Sequence, residues 1–176
     1  MQVDQHFVIV NDTVLLRPLV PADAQEIVPL ADDQAVAKQL RDRFPHPYRL
    51  QDAEEFIRSQ QHIDPPLVLA IVVEGHFAGT VGIVPGTDIH YRTAEIGYWL
   101  GQPYWGKGLM TSVLVAASQH FMDTYSLLRL FALPKSDNAA SCRVLEKAGY
   151  GLEGILRKNY EKYGQTGDSS LYALIR

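Results

Sequence analysis

Residues 94–110, Ala-Glu-Ile-Gly-Tyr-Trp-Leu-Gly-Gln-Pro-Tyr-Trp-Gly-Lys-Gly-Leu-Met, decide how this chain is read. An apolar strand runs into a turn that holds Gly106 and Gly108, and an amphipathic helix follows at once. The first amides of a helix have no acceptor inside the helix. With the positive end of the helix dipole they form a site for an anion, typically a phosphate. Lys107 adds a positive charge beside them. The segment from Trp105 to Thr111 therefore reads as a pyrophosphate cradle made mainly of backbone. It is no Walker loop, because Thr111 does not directly follow a Gly-Lys pair. Nor is it the dinucleotide G-x-G-x-x-G turn, since Thr111 stands where the third glycine belongs. Gly-Lys-Gly also occurs in ordinary exposed turns, so the string needs a second one to give it meaning.

Composition narrows the class. A chain of 176 residues has the length of one domain, 1–176, with a substantial core. Hydrophobic residues at 47% and charged residues at 20% describe an ordinary globule. A net charge of −4 argues against a broad nucleic-acid-binding face. Cys142 is the single cysteine, which excludes an internal disulfide and a cysteine-rich zinc site. The six histidines fall in no metal-ligand spacing, so no metal is expected. The start, Met1 to Phe7, has neither the basic end nor the apolar run of a signal peptide. No stretch approaches the ~20 apolar residues that cross a bilayer. The expectation is a cytoplasmic protein that contacts neither membrane nor nucleic acid.

Along the chain, Thr13–Leu19 reads as a strand, Pro21 opens a helix carrying Ala24, Ile27 and Leu30, and a short helix covers Gln34–Leu40. Two prolines keep Phe44–Tyr48 out of a helix, and a further helix starts near Asp52. Leu67–Val73 and Phe77–Val84 form a hairpin around Glu74-Gly75. A strand over His90–Leu100 precedes the helix Leu109–Phe121. The strand Leu127–Leu133, the helix Asn138–Ala148 ended by Gly149, and the strands Tyr150–Arg157 and Ser169–Ile175 complete the order. The last two flank a turn-rich Tyr163–Asp168. The sum is a mixed α/β layer structure.

The second informative string is Asn138-Ala-Ala-Ser141-Cys-Arg-Val-Leu145-Glu-Lys-Ala-Gly149-Tyr150. Asn138 suits a helix cap. Ser141 and Leu145 lie one and two turns on along the same face, so Ser141 points toward the sheet. Together the two strings resemble the GNAT superfamily of acetyl-CoA-dependent N-acetyltransferases, and within it the branch of ribosomal-protein N-terminal acetyltransferases. Val14-Leu-Leu-Arg-Pro-Leu, Ala94 to Leu100, Tyr104-Trp-Gly-Lys-Gly and Asn138 to Tyr150 followed by Glu153-Gly carry the resemblance, which spans nearly the whole chain. One departure is clear. The superfamily's cofactor signature Q/R-x-x-G-x-G/A meets Trp105, Gly106, Lys107, Gly108, Leu109 and Met110 here, and only the central glycine fits its strict form.

The resemblance implies a GNAT-like fold: a mostly antiparallel twisted sheet of six or seven strands with one splayed pair, flanked by about four helices. It implies acetyl-CoA as co-substrate and direct attack by a primary amine in a ternary complex. Backbone groups near Trp99 and Leu100 would bond the pantetheine amides, and residues Trp105 to Thr111 the diphosphate. Asn138 would bond the pantetheine arm, with Ser141 near the sulfur. Ser141 is then a candidate proton donor to the leaving thiolate, or else a structural hydrogen bond to the strand. Glu95 shares a strand face with Gly97 and Trp99 in an otherwise apolar run, which makes it a candidate general base or half of a structural ion pair. Cys142, turned about 100° from Ser141, is expected as a buried small apolar residue. Phe44–Tyr48 is either a wall of the acceptor pocket or a rigid loop. The acceptor is a ribosomal or other protein N-terminus or a small-molecule amine, with choice among them set by the early helices and the Tyr163–Asp168 loop. The protein acts as monomer or homodimer. Two other classes remain open: a non-catalytic acyl-CoA-binding or sensing module on the same scaffold, and a nucleotide-phosphate-binding protein.

Overall fold

The computed structural model describes residues 7–176, so the expectation about a leader segment lies, but for Phe7, outside the described residues. The strands are β1 (Val8–Ile9), β2 (Val14–Pro18), β3 (Val68–Val73), β4 (His76–Pro85), β5 (Thr93–Leu100), β6 (Arg129–Ala132), β7 (Gly151–Lys162) and β8 (Gln165–Ile175). The helices are α1 (Asp23–Ala31), α2 (Gln34–Ala37), α3 (Leu50–Gln60), α4 (Leu109–Thr124) and α5 (Ala139–Lys147). The strands lie in one sheet in the order β1-β2-β3-β4-β5-β6-β8-β7. Pairing is antiparallel at β1–β2, β2–β3, β3–β4, β6–β8 and β7–β8, and parallel at β5–β6. The mixed, mostly antiparallel GNAT-like fold is as expected, with eight strands and five helices in place of six or seven and about four. The extra strand is β1, two residues long and too short to show a period in sequence.

Contacts group the chain into two compact units: the residues up to Gly82 with Tyr98–Leu109, and Ile83–Gly97 with Met110–Arg176. The first unit is organised by the β3–β4 hairpin. Glu74 and Gly75 take φ of +51° and +85°, the left-handed pair that matches a two-residue turn to the twist of its strands. Ala70, Val72 and Phe77 from this hairpin pack with Ile27 and Ala31 of α1, Ala53 and Ile57 of α3, and Leu19 and Tyr48. Gly79 is fixed by crowding: a Cβ there would lie 2.0 Å from the carbonyl oxygen of Trp99, so β4 accepts no larger residue at this point. The helix expected from Pro21 starts at Asp23, because the residues before it form tighter turns in which the Asp23 and Ala24 amides donate to the Val20 and Pro21 carbonyls; the Asp23 side chain closes the same turn. Its carboxylate accepts from Arg17 at 2.8 and 2.6 Å and from the Val20 amide at 2.9 Å, and it is 2% exposed. Hydrogen bonding to Asp23 raises the Arg17 pKa in turn. The Phe44–Tyr48 loop is tied down: the Tyr48 amide donates to Asp32 at 2.9 Å, and the Phe44 ring lies 4.9 Å from Tyr48 and 5.4 Å from Trp99.

In the second unit, α4 buries Met110, Val113, Leu114, Ala117, Phe121 and Met122 along one face. It runs one turn past Phe121, and the Leu127 amide closes its end on the Met122 carbonyl. That bond, with Leu128 and Arg129 both donating to Arg92, delays β6 to Arg129. β5 likewise begins at Thr93, not His90, since Asp88–His90 form a short 3-10 turn whose last carbonyl accepts from the Thr93 hydroxyl at 3.0 Å. The Tyr163–Asp168 loop is a further correction. Only Tyr163 and Gly164 turn, at φ of +53° and +74°, while β7 runs to Lys162 and β8 starts at Gln165. Most of β7 is exposed, so it lacks the alternation that would have marked it. Leu130 and Ala132 are the buried residues of β6, and Leu145 is fully buried on α5.

Removing one partner of a buried, bidentate ion pair leaves an uncompensated charge. Asp23→Ala is expected to cost about 3 kcal/mol, which lowers the melting temperature of a chain this size by roughly 6–12 °C in a calorimetric scan.

Candidate functional site

Gly106 and Gly108 take φ of +73° and +74°, immediately before α4. A Cβ on either would meet nothing within 4 Å, so left-handed backbone, not crowding, selects glycine here. Among the described residues, the amides from Gly106 to Thr111 donate to no carbonyl in a turn or cap. Gly106, Lys107 and Gly108 are exposed, so these donors face open space at the positive end of a 16-residue helix. The donor set fits an anion such as a diphosphate. Lys107 is held loosely nearby, its Nζ 5.8 Å from the Tyr104 ring centroid. Trp105, at the signature position where the match fails, works as a brace. Its indole Nε1 donates to the Leu100 carbonyl at 2.8 Å and ties the turn to the end of β5. Of the remaining cradle residues, the Met110 side chain is buried, Leu109 and Thr111 are half-buried, and only backbone is offered.

The Trp99 indole packs against Phe44 and Phe77, the latter at 6.0 Å, and belongs to the core of the first unit. One lone pair of the Leu100 carbonyl is already taken by Trp105. The parallel pairing of β5 with β6 covers Thr93–Arg129, Ala94–Leu130 and Glu95–Phe131 and goes no further, although β5 continues to Leu100. Gly97, just past the last pair, is exposed with open space around it.

In the second unit, Asn138 caps α5, its side-chain oxygen accepting from the Ser141 amide at 3.2 Å. Asn138 and Ser141 are thus brought together, and Ser141 is half-buried. Cys142 is also half-buried, not the fully buried residue expected, with Sγ 4.0 Å from the Lys135 carbonyl. Beneath the same helix the Tyr172 hydroxyl donates to Glu146 at 2.8 Å, and burial together with that carboxylate pushes the phenol pKa up.

Glu95 opens onto a pocket of about 620 Å³. Its walls are Val84 to Thr87 and His90 from the β4–β5 connection, Thr93 and Glu95 from β5, Arg129 and Phe131 from β6, and Leu171 from β8. Ala94 and Ile96, on the other face of β5, are buried, as the period of two requires. Arg129 is locked by Glu153: one guanidinium nitrogen lies 2.7 Å from a carboxylate oxygen, and the second nitrogen meets the second oxygen. This hydrogen bonding raises the Arg129 pKa and holds the Glu153 carboxyl below its ordinary range. The sequence reading missed Arg129, Phe131 and the β4–β5 connection. The only local signal was an arginine set inside the apolar run Leu127 to Leu133. Among the described residues no cluster of histidine, cysteine or carboxylate ligands could hold a metal ion, and no helix is long and apolar enough to cross a membrane.

Comparison with known proteins gives these features a context. The acetyltransferase (GNAT) domain family matches residues 13–151. The probable N-acetyltransferase YjcK of Bacillus subtilis (strain 168) is 30% identical over 93% of this chain and 94% of that protein. The ribosomal-protein-serine acetyltransferase of Escherichia coli (strain K12) is 34% identical over 48% of this chain and 47% of its own. Among solved structures, a RimL ribosomal L7/L12 α-N-protein acetyltransferase in complex with coenzyme A superposes with a TM-score of 0.86 at 22% identity, covering 97% of this chain and 98% of that one.

The Asn138 cap is the anchor of the Ser141 turn. Asn138→Ala is expected to cost about 1 kcal/mol, read as a melting temperature lower by roughly 2–4 °C, with the helical circular dichroism signal otherwise retained.

Proposed function

The chain belongs to the GNAT acetyltransferase family, and from that premise we propose that it moves the acetyl group of acetyl-CoA to a primary amine, with residues 1–176 working as one catalytic domain. The amides from Gly106 to Thr111 carry this reading: among the described residues they donate to no carbonyl in a turn or cap, and N–H groups at a helix start suit an anion. Lys107 adds charge to them, and the Trp105 indole holds their turn in place. Asn138 is assigned to the pantetheine arm, together with backbone groups at Trp99 and Leu100. When bound, acetyl-CoA supplies an activated thioester.

The residues then divide the proton work. An amine attacks only when neutral, and an α-amine with an ordinary pKa of about 7.7–8.0 needs little help near neutral pH, whereas a lysine at about 10.4 needs more. Glu95, on the pocket wall, is the group assigned to take that proton, directly or through a water. Ser141 is assigned to stabilise the departing thiolate by a hydrogen bond from its hydroxyl. The acceptor classes that fit are a protein N-terminus, as the name of the ribosomal-protein-serine relative suggests, or a small-molecule amine. The cytoplasm, where ribosomes and acetyl-CoA meet, is the setting proposed. A sensing module that binds acyl-CoA without turnover is the competing reading, and it predicts binding with no release of free CoA.

Two variants test the assignments. Gly108→Val forces a β-branched side chain into φ of +74° and into the space before the amides. It is expected to weaken CoA binding at least tenfold, about 1.4 kcal/mol, in a calorimetric titration; unchanged affinity would place the cradle elsewhere. Glu95→Gln is expected to lower turnover at least tenfold while CoA affinity stays within about twofold. Unchanged rates across the pH range would remove Glu95 from the chemistry.

A further inference from the structure

The wall of the Glu95 pocket carries a charge device that acetyl transfer does not itself require. Thr93 pairs with Arg129 and Glu95 with Phe131 across neighbouring parallel strands, so all four share one face of the sheet. Arg129 is the one arginine or lysine among the described lining residues. Its carboxylate partner comes from two strands away: β8 lies between β6 and β7. The reach depends on a bulge. Leu152 pairs with Tyr172 and Gly154 with Leu171, which leaves Glu153 as an extra residue without a partner on β8. Such a bulge re-aims a side chain, and here the Glu153 carboxylate meets the Arg129 guanidinium on both oxygens. A chain that only needed a packed sheet could place any residue at this bulge.

Its effect on the pocket is electrostatic. Within the lining, Glu95 is the one carboxylate and Arg129 the one guanidinium, and Glu153, itself outside the lining, holds that guanidinium on both of its oxygens. The rest of the wall is the apolar surface of Val84, Pro85, Phe131 and Leu171, with Thr87 and Thr93 hydroxyls. A volume of about 620 Å³ matches a small molecule or the first residues of a peptide.

Resting on the proposed acetyl transfer with Glu95 at the acceptor, we propose that the Arg129–Glu153 pair is the pocket's charge selector: by neutralising Arg129 it makes the pocket accept primary amines with an uncharged or cationic body and reject amines that carry a carboxylate beside the reacting nitrogen. An acidic acceptor finds the guanidinium of the lining already occupied by Glu153 and gains no partner for its carboxylate. Glu153 is in this sense a positioning residue, acting through Arg129.

Matched acceptor pairs test this: alanine amide with alanine, and a dipeptide amide carrying glutamine or glutamate at its second position. The readout is CoA release as kcat/KM for each member. The intact chain is expected to favour the uncharged member at least tenfold. Glu153→Gln, which leaves the arginine charge uncompensated, is expected to cut that preference at least fivefold, through KM for the acidic member. Arg129→Gln is expected to increase it. A purely structural pair would move both members equally, so an unchanged ratio in both variants, with turnover retained, overturns the selector and leaves acetyl transfer standing. Should Glu153→Gln fail to fold, the opposite shift required of Arg129→Gln still decides. No CoA release from the intact chain with any amine overturns the acetyl-transfer reading and the selector with it.

Discussion

A helix cannot satisfy its own first amides, and everything proposed for this chain begins from what happens to those of α4. Other helices here solve the problem internally. α5 draws on the Asn138 side chain and α2 on Asp33, and at the start of α3 the Asp52 carboxylate accepts from the Arg49 amide. At α4 two left-handed glycines precede the helix, and among the described residues the amides from Gly106 to Thr111 donate to no carbonyl in a turn or cap. Unpaired backbone donors are costly when buried, and these avoid that cost by exposure.

Around that constraint the chain spends its large side chains on holding backbone in place. The Trp105 indole reaches back to Leu100, and Trp99 sits among Phe44 and Phe77. Gly79 lets β4 approach the Trp99 carbonyl more closely than any other residue would permit. The end of β5 and the turn that follows are therefore braced by contacts within the chain. At the position where the family's signature is not met, the Trp105 side chain makes a hydrogen bond to the strand that precedes the turn. The site depends less on which side chains surround the turn than on the turn's being held still.

How far the sequence could be read follows from the range of each interaction. The glycine turn, the Glu74-Gly75 hairpin and the Asn138 cap are local devices, complete within a few residues, and each stands where the string placed it. Boundaries slipped where other backbone bonds intervened, as at α1 with the turn over Val20 to Ala24 and at β6 with Arg92. The β7–β8 hairpin was longer than its sequence suggested because an exposed edge strand with bulges shows no period. The Arg129–Glu153 pair was invisible for a stronger reason. It joins residues on strands that are not neighbours, through a bulge that only the folded register reveals.

The most direct test follows the backbone amides themselves. In a ¹⁵N-labelled sample titrated with coenzyme A, the account predicts that the resonances of Gly106, Lys107, Gly108 and the first residues of α4 shift most, saturate together, and respond far less to CoA lacking its diphosphate. If coenzyme A binds while those amides stay in place and the shifts gather elsewhere in the chain, the account is wrong.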